Sequence, residues 1–396
     1  MGSAFIVTSS TFAFLPLPPN ILTARGVVLL WLVAYDVYAT ILHARARGGP
    51  VSELLNRSVW RSARTIAFRL SRQRRHRFLN AIGPLLLPSL IVIFILLLVN
   101  GFALIYLPRM PAQFSVKTET YSGAWVESMY FSGATLATLG YGDVTPLTVA
   151  MRTVALTEGF AGLGLISLAV TYLITVYTAL EHKRAVALSF YHQAVEGADV
   201  AGFIAHHFVA GRFQGLESVL RSAARDVQGL LESHVEHPII HYFHPVEVHK
   251  SMPRILFIVL ETCAVMHACL DQEENPEIIN HPEVRTLEAS ARHVLGELVA
   301  SLKLERRALK RYETPQEESL RWERRFKQTI RQFKKEGIET QRDLAVGWEI
   351  YRARREEWES KLHRFTLFLG YDWDEITGDR DLRYAADEEM EEPGGK

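Results

Sequence analysis

The sequence predicts an all-α membrane protein with three transmembrane helices, a short helix and loop that re-enter the membrane, and an all-helical cytoplasmic domain. Three long apolar segments lie within the first 180 residues, whereas most acidic residues follow them. From residue 183 onward, apolar residues recur at spacings of three and four, which is typical of amphipathic helices. The composition, 48% hydrophobic and 22% charged, therefore averages a membrane portion and a soluble portion.

Each apolar segment is long enough to cross a bilayer core, which needs roughly 20 mostly apolar residues. The first segment contains Asp36, the second is uninterrupted, and the third contains Glu158. We expect Asp36 to hold helices together. The predicted division is an external segment 1–25, a first transmembrane helix 26–43, a basic cytoplasmic link 44–83, a central membrane domain 84–182, a helical cytoplasmic domain 183–385 and an acidic disordered tail 386–396.

Arginine counts predict the orientation in the membrane. Residues 44–80 hold ten arginines and a single acid, Glu53, whereas residues 108–148 hold only Arg109 and Lys117 as basic residues. Loops rich in arginine and lysine stay in the cytoplasm. The N-terminus is therefore expected outside and the C-terminus in the cytoplasm.

The basic link is expected to contain an interfacial helix. Trp60, Ala63, Ala67 and Leu70 recur at helical spacing among its arginines. Such a pattern is typical of a helix that lies on a membrane surface and contacts anionic lipids. The alternative is that the arginines are solvated and serve only to set the topology.

The stretch ATLATLGYGDVTP, residues 134–146, places glycines at membrane depth. Irregular backbone is tolerated there only where it is buried in protein or lines a water-filled path. The amphipathic residues 121–138 predict a helix that re-enters from outside. Gly140 and Gly142 can adopt backbone angles closed to other residues, so successive carbonyls can point to one side. A row of carbonyls can replace the water shell of a cation, and four copies of the chain would close the ring.

These residues resemble the pore of a potassium channel with one pore loop per subunit. The match covers residues 85–182 and comprises an outer helix, a re-entrant pore helix and filter loop (MYFSGATLAT and TLGYGD), and an inner helix. The stretches DVYATILH and GPLLLPSL resemble a bacterial group with an extra N-terminal span. The resemblance implies a homotetramer in the bacterial inner membrane, with K⁺ as the permeant ion and no cofactor. It assigns the filter to Thr138, Leu139, Gly140, Tyr141, Gly142 and Asp143, with K⁺ bound at the first four.

One filter position, Leu139, departs from the family pattern, and another, Asp143, is expected to contact the pore helix. Leu139 replaces the commonest valine, which is a mild departure because the carbonyl coordinates the ion. Asp143 is expected to bond a side chain of the pore helix. Tyr130 stands where the family often has an aromatic donor, so its hydroxyl is the candidate partner.

A second support for the filter is expected behind it. Some family members have a glutamate in the pore helix where this chain has Ala134. Glu158, at filter height on the inner helix, is expected to substitute for it by bonding Ser132 or Thr135. Intramembrane acids are costly and need a partner, so a structural brace and a pH-sensitive modulator are the two interpretations.

Glycines interrupt the inner helix at positions 159, 162 and 164. The resemblance places a gating hinge at Gly162, with Gly159 beside it. Small residues also let membrane helices pack closely, which is the alternative explanation. Both interpretations stay open at the level of sequence.

The soluble portion contains one histidine cluster, HVEHPIIHYFHPVEVH, which extends from His234 to His249. His237, His241 and His244 have spacings that a helix could use to bind a metal, but Pro238 breaks that helix. A metal site, a proton-sensing cluster and ordinary packing are therefore three alternatives. The two cysteines permit no disulfide framework.

Several function classes are disfavoured. No nucleophile, base and orienting residue can be assembled, so we expect no enzyme, and the zero net charge gives no pull toward nucleic acid. No nucleotide-binding glycine fingerprint follows a strand. A potassium-selective channel is the leading hypothesis, with a non-conducting sensor or a weakly selective cation channel as alternatives. The gating stimulus and any ligand of the cytoplasmic domain stay open.

Overall fold

The computed structural model describes residues 18–43, 48–116, 122–194, 199–304 and 315–379. Regular secondary structure in these residues is helical except for two short antiparallel strand pairs and one bridge between Leu270 and Thr340. The prediction of an all-α membrane protein with a helical C-terminal region is confirmed. The chain divides into two compact units, a first unit of residues 1–42 and 88–172 and a second unit of residues 43–87 and 173–396.

The elements are, in chain order, α1 (Pro19–Val37), a π-helical turn (Tyr38–Leu42), α2 (Pro50–Ala67), α3 (Arg72–Tyr106), β1 (Phe114–Val116), α4 (Ala124–Leu136), β2 (Val144–Pro146), α5 (Val149–Gln193), α6 (Val200–Ala205), β3 (Phe208–Val209), β4 (Arg212–Phe213), α7 (Leu216–Glu236), α8 (Met252–Cys269), α9 (Pro276–Ile279), α10 (Pro282–Ser301), α11 (Pro315–Lys335), α12 (Leu344–Leu369) and α13 (Trp373–Thr377). Short 3₁₀ turns cover Leu107–Arg109, Pro238–Tyr242 and Val248–Lys250.

Four helical segments among the described residues are long and apolar enough to cross a membrane. Three of them, α1 with its π-helical turn, α3 and α5, correspond to the predicted spans. The fourth is α8, and 94% of this apolar helix is buried by protein. An apolar helix that is covered all round by its own domain is a core helix, so α8 is the centre of the second unit.

The helix boundaries differ from those predicted. The first span begins at Pro19, before residue 26, because proline is well suited to the first turn of a helix. α4 is shorter than the predicted 121–138, and α5 continues beyond residue 182 to Gln193. The predicted acidic tail, residues 386–396, lies outside the described residues.

In the first unit, α1 packs closely on α3. A Cβ atom placed on Gly26 would lie 2.5 Å from the carbonyl oxygen of Gly101, so only glycine permits this approach. Arg109 Nη1 donates to Thr23 Oγ1 at 3.1 Å and joins the ends of the same two segments. Asp36 is fully buried and accepts a hydrogen bond from Thr40 Oγ1 at 3.2 Å.

In the second unit, α8 packs against α12 and α10, and α10 packs against α7. The interior of this bundle also contains charge. Arg355 is 1% exposed and donates to Glu261 at 3.1 Å and to Glu359 at 2.6 Å. The sequence analysis did not foresee these ion pairs, because charged residues in an amphipathic pattern are ordinarily exposed.

The helix of the basic link lies differently from the prediction. Its apolar face, which was expected to contact the membrane surface, is buried against the second unit. Trp60 is 2% exposed, and its indole Nε1 donates to the carbonyl of Phe368 at 3.1 Å. Its ring meets Tyr242 edge-on, with centroids 5.7 Å apart. The aromatic surface of the bundle covers the apolar face of α2, and the carbonyl of Phe368 accepts the indole N–H of Trp60. This face is therefore not available to lipid.

Candidate functional site

The pore helix α4 leads directly into the candidate filter. The amide of Thr138 donates to the carbonyl of Thr135 at 3.0 Å, and the amide of Leu139 donates to the carbonyl of Ala134 at 2.8 Å. These bonds end the helix at the residue where the extended return begins. The chain then reaches β2, which pairs antiparallel with β1 in the register Val116 to Val144.

Every second residue of the loop has a positive φ. The values are 57° at Thr138, 63° at Gly140 and 75° at Gly142. Glycine adopts this conformation without steric cost, whereas a β-branched residue there is strained. The local backbone therefore requires both glycines, and Thr138 is held in its conformation by the two hydrogen bonds that end α4.

The loop is open in the single chain. The side chains of Leu139 and Tyr141 are 55% and 67% exposed. None of the backbone carbonyls from Thr138 to Tyr141 accepts a hydrogen bond from a backbone amide of another described residue. These oxygens are consequently available to coordinate a ligand that binds carbonyl oxygens.

The far end of the loop is attached to the pore helix. The hydroxyl of Tyr130 donates to Asp143 Oδ2 at 2.7 Å, and the amide of Val144 donates to Asp143 Oδ1 at 3.0 Å. The structure thus shows the Tyr130 hydroxyl in contact with the Asp143 carboxylate, which is the partner that the resemblance suggested for it. The contact ties the turn after Gly142 to the middle of α4.

Glu158 lies behind the loop and is completely buried. Tyr106 Oη donates to Glu158 Oε2 at 2.7 Å, and Ser132 Oγ donates to Glu158 Oε1. Of the two partners suggested by the sequence, the described contacts place Ser132, and not Thr135, on the carboxylate. Tyr106 was missed, since no local pattern connects residues that lie 52 positions apart.

An aromatic cluster surrounds the Tyr106 contact. The ring of Tyr106 meets Phe131 and Phe114 edge-on, with centroid distances of 5.1 Å and 5.6 Å, and Phe114 meets Phe131 at 5.2 Å. Edge-to-face pairs of this kind are favourable beyond the area that they bury. The cluster joins α3, β1 and α4, so the outer helix, the first strand and the pore helix form one packed support.

The glycines of the inner helix have different surroundings. A Cβ atom on Gly162 would lie 2.2 Å from the carbonyl oxygen of Leu136, the last residue of α4. A Cβ atom on Gly159 would lie 3.9 Å from the carbonyl oxygen of Thr135, and one on Gly164 would meet nothing within 4 Å. Because α5 passes through all three without a break, these distances favour the packing interpretation for Gly162, and the hinge stays a prediction.

The structure disperses the histidine cluster within the second unit, where His234, His241 and His244 are buried and His237 and His249 are partly exposed. His234 and His241 have ring centroids 5.1 Å apart. His244 lies elsewhere, where its Nε2 is 2.8 Å from His76 Nδ1 and its Nδ1 donates to the carbonyl of Leu369 at 2.9 Å. In the described part of the chain, no three or more histidine, cysteine, aspartate or glutamate residues form a group that could hold a metal ion.

Comparisons with known proteins found one family model and one relative. Residues 92–179 match a protein-family model described as "Ion channel". The chain is also 27% identical over 262 residues to the "Uncharacterized membrane protein YdjJ" of Bacillus subtilis (strain 168), an alignment that covers 66% of this chain and 74% of that protein. No solved structure matches the chain significantly. The matched residues contain α4, the loop and the parts of α3 and α5 that flank them, so this stretch is similar to an ion-channel domain with one pore loop between two spans, and the resemblance seen in the sequence is confirmed.

Proposed function

We propose that the protein is a potassium-selective channel that conducts K⁺ passively across the membrane. The observation that carries the proposal is the loop itself, with positive φ at Thr138, Gly140 and Gly142 and carbonyls from Thr138 to Tyr141 that are free of backbone partners. Rings of backbone carbonyls can replace the hydration shell of K⁺. The carbonyls of Thr138, Leu139, Gly140 and Tyr141 would hold the ion.

The proposal requires four copies of the chain. One loop supplies one wall of a carbonyl cage, and residues 137–142 are exposed in the single chain. A homotetramer around a fourfold axis would place four such loops face to face. Asp143 and Glu158 would act from outside the ion path, the first by its bond to Tyr130 and the second by its bonds to Tyr106 and Ser132.

The membrane and the orientation follow from the arginine distribution and from the relative. The basic residues between the first and second spans favour a cytoplasmic link, with the N-terminus outside and the C-terminus inside. The relative is a bacterial membrane protein. We therefore place this channel in the bacterial inner membrane.

Ion flux from liposomes tests the proposal. The full-length protein is reconstituted in vesicles loaded with KCl, diluted into NaCl, and followed by quenching of a proton-driven dye after a protonophore is added. We expect flux in the wild type and its loss in Gly140→Ala, because alanine is strained at a φ of 63°. Gly133→Ala is the matched control, since Gly133 lies in α4 and has nothing within 4 Å of its Cβ position.

Two outcomes would contradict the proposal. Absence of flux from correctly folded wild-type protein would favour a non-conducting sensor, and equal flux of Na⁺ and K⁺ would favour a weakly selective cation channel. The mass of the purified assembly supplies an independent check. A stoichiometry other than four chains would exclude the proposed filter.

A further inference from the structure

The first turns of α3, residues 72–83, are held tightly by the second unit, to which they belong. Asn80 Nδ2 donates to the carbonyl of His244 at 2.7 Å. A Cβ atom on Gly83 would lie 2.8 Å from the ring of Phe243, so only glycine permits this approach. The beginning of the outer helix is therefore in close contact with the segment between α7 and α8.

A line of hydrogen bonds passes from this segment through α3 to α13. His244 Nδ1 is 2.9 Å from the carbonyl oxygen of Leu369, and His244 Nε2 is 2.8 Å from His76 Nδ1. His76 Nε2 is 3.2 Å from Glu375 Oε1. His76 and His244 are buried, and the ring of Tyr371 stacks on both of them. We call His244, His76 and Glu375 the histidine bridge.

The histidine bridge needs more protons than two neutral rings carry. A carbonyl oxygen only accepts, so the proton toward Leu369 is on His244 Nδ1. A neutral His244 then has an unprotonated Nε2, which must accept from His76 Nδ1. His76 Nε2 must in turn share a proton with Glu375, because a bare nitrogen and a carboxylate oxygen at 3.2 Å would repel each other. Three hydrogen bonds hold three protons, whereas two neutral imidazoles supply two.

The surroundings of Glu375 favour His76 as the site of the third proton. The Glu375 carboxylate accepts from the backbone amide of Asp372 at 3.1 Å and pairs with Arg72 at 3.3 Å. Burial acts to raise the pKa of Glu375, but the hydrogen bonds from His76 and from the Asp372 amide hold that pKa below its ordinary value. An ionised carboxylate leaves the His76 imidazole to carry the third proton.

The charges around the histidine bridge favour the same arrangement. Among the described residues, two arginines of α3 meet three carboxylates here, so one negative charge is unmatched until His76 is protonated. The shortest of these pairs joins Arg75 and Asp372 at 2.5 Å. The charged groups that face the bridge are Arg72, Arg75, Asp372 and Asp374, with Lys183 and Glu247 acting on His244 and Tyr371 from farther away.

We propose that His76 is an imidazolium in the folded protein and that its proton fastens the outer helix α3 to α13. The imidazolium donates to His244 and to Glu375 at once, whereas a neutral ring can donate to only one of them. Loss of the proton at alkaline pH would therefore loosen the first turns of the outer helix, which makes the histidine bridge a pH-sensitive switch. The inference concerns the second unit alone and does not depend on K⁺ conduction.

Solid-state NMR observes the protonation of His76 directly. The full-length protein is labelled with ¹⁵N-histidine and reconstituted in liposomes, where the ¹⁵N shifts distinguish an imidazolium from a neutral ring. At pH 7.5 a histidine with the ordinary pKa of about 6.5 is mostly neutral. We expect an imidazolium signal to persist at this pH in the wild type and to be absent from His76→Gln.

Thermal unfolding of the full-length protein in detergent tests the consequence for stability. Above pH 6.5 the folded wild type retains a proton that the unfolded chain releases, so its thermal midpoint should fall as the pH rises to 9.5. The midpoint of His76→Gln should fall less, by a difference of about 2–4 °C or more, which is the shift expected when one interaction is lost from a domain of this size. Glu375→Gln should behave like His76→Gln, because a neutral amide does not favour an imidazolium.

His293→Gln is the matched control, since His293 is an exposed histidine on α10, and its midpoints should follow those of the wild type. Parallel curves for the wild type, His76→Gln and Glu375→Gln would overturn the inference. A spectrum of the folded wild type without an imidazolium at pH 7.5 would overturn it as well. If His76→Gln does not fold, the wild-type spectrum and the Glu375→Gln curve still decide between these outcomes.

Discussion

Gly162 stands where the inner helix comes closest to the end of the pore helix. Gly162→Ala is expected to destabilise the protein, because its Cβ would overlap the Leu136 carbonyl and overpacking typically costs about 1–3 kcal/mol. Gly164→Ala should be neutral or stabilising, since alanine is better than glycine in a helix by about 1 kcal/mol. Thermal unfolding of the two variants in detergent measures the difference. Equal stability would instead support the hinge interpretation of Gly162.

Glu158 is the second residue on which the filter support depends. Glu158→Ala would leave the hydroxyl of Tyr106 without its acceptor, whereas Ser132 Oγ could still donate to the carbonyl of Val99 at 3.0 Å, and an unsatisfied buried group costs about 1–3 kcal/mol. Tyr106→Phe removes a single bond and should cost less, with Glu158→Gln between the two. The thermal midpoint and the ratio of K⁺ to Na⁺ flux are the measurements. Wild-type stability and selectivity in all three variants would exclude a brace at this position.

Much of the candidate site could be predicted from residues close in sequence. The positive φ of Gly140 and Gly142 follows from the conformational freedom of glycine, and the bond from Tyr130 to Asp143 was implied by the family resemblance of the pore helix and loop. Tyr106 could not be found in this way, because its contact with Glu158 depends on how two distant helices pack. Thr138 was expected in the filter, but its strained φ depends on the hydrogen bonds that end α4.

At the scale of elements, α2 shows what an amphipathic pattern does and does not determine. The spacing of Trp60, Ala63 and Ala67 correctly identified the buried face of this helix. It did not identify what covers that face, since a membrane surface and an aromatic protein surface favour the same residues. α8 shows the same ambiguity, because its hydropathy alone fits a membrane span and its burial shows a core helix.

The segment between α7 and α8 should make the second unit sensitive to acid. Burial lowers the pKa of His241 to about 3, and burial together with the neighbouring His76 lowers the pKa of His244 to about 3. Above pH 6.5 these histidines are neutral in both the folded and unfolded states. Below it the unfolded chain binds protons that the folded chain does not, so the free energy of unfolding falls by up to about 1.4 kcal/mol per pH unit for each histidine.

A variant separates this effect from general acid unfolding. His241 faces His234, and the positive charge of Lys183 contributes to its lowered pKa. His241 Nδ1 has no hydrogen-bond partner among the described residues. His241→Leu should therefore be folded at pH 7.5 and should lose less stability than the wild type between pH 6.5 and 4.5. Thermal midpoints measured across this range check the prediction, and parallel curves for the two proteins would contradict it.

At the scale of the whole molecule, each unit has an interior with its own chemistry. The first is held by apolar and aromatic packing around the buried acids Asp36, Glu127 and Glu158, whereas the second buries a network of opposite charges. Arg355, Arg321 and Arg325 are matched there by Glu261, Glu359 and Asp379. The sequence predicted helices in both units, but it could not indicate which charged residues meet between helices, because those partners are far apart in the chain; only Arg355 and Glu359 of the cited pairs lie four residues apart on one helix.

Breaking this network should unfold the second unit. Arg355→Met is expected to cost about 3–5 kcal/mol, since it leaves the buried Glu261 carboxylate without its cation and leaves Glu359 with Arg321 alone. Arg352→Met, on the same helix, changes an exposed side chain that pairs with Glu349 and should cost about 0.5 kcal/mol or less. Denaturant unfolding of the full-length variants compares the two. Similar losses in both would show that the buried charges contribute no more than surface pairs.

The most direct measurement of the central claim is the bi-ionic reversal potential of the full-length protein in planar bilayers, with K⁺ on one side and Na⁺ on the other. The account predicts a reversal potential that is strongly selective for K⁺ in the wild type. It also predicts that Tyr141→Ala, which alters the side chain between the two filter glycines, loses this selectivity. A wild-type reversal potential near zero would contradict the account, because it would mean that the loop from Thr138 to Asp143 does not select K⁺.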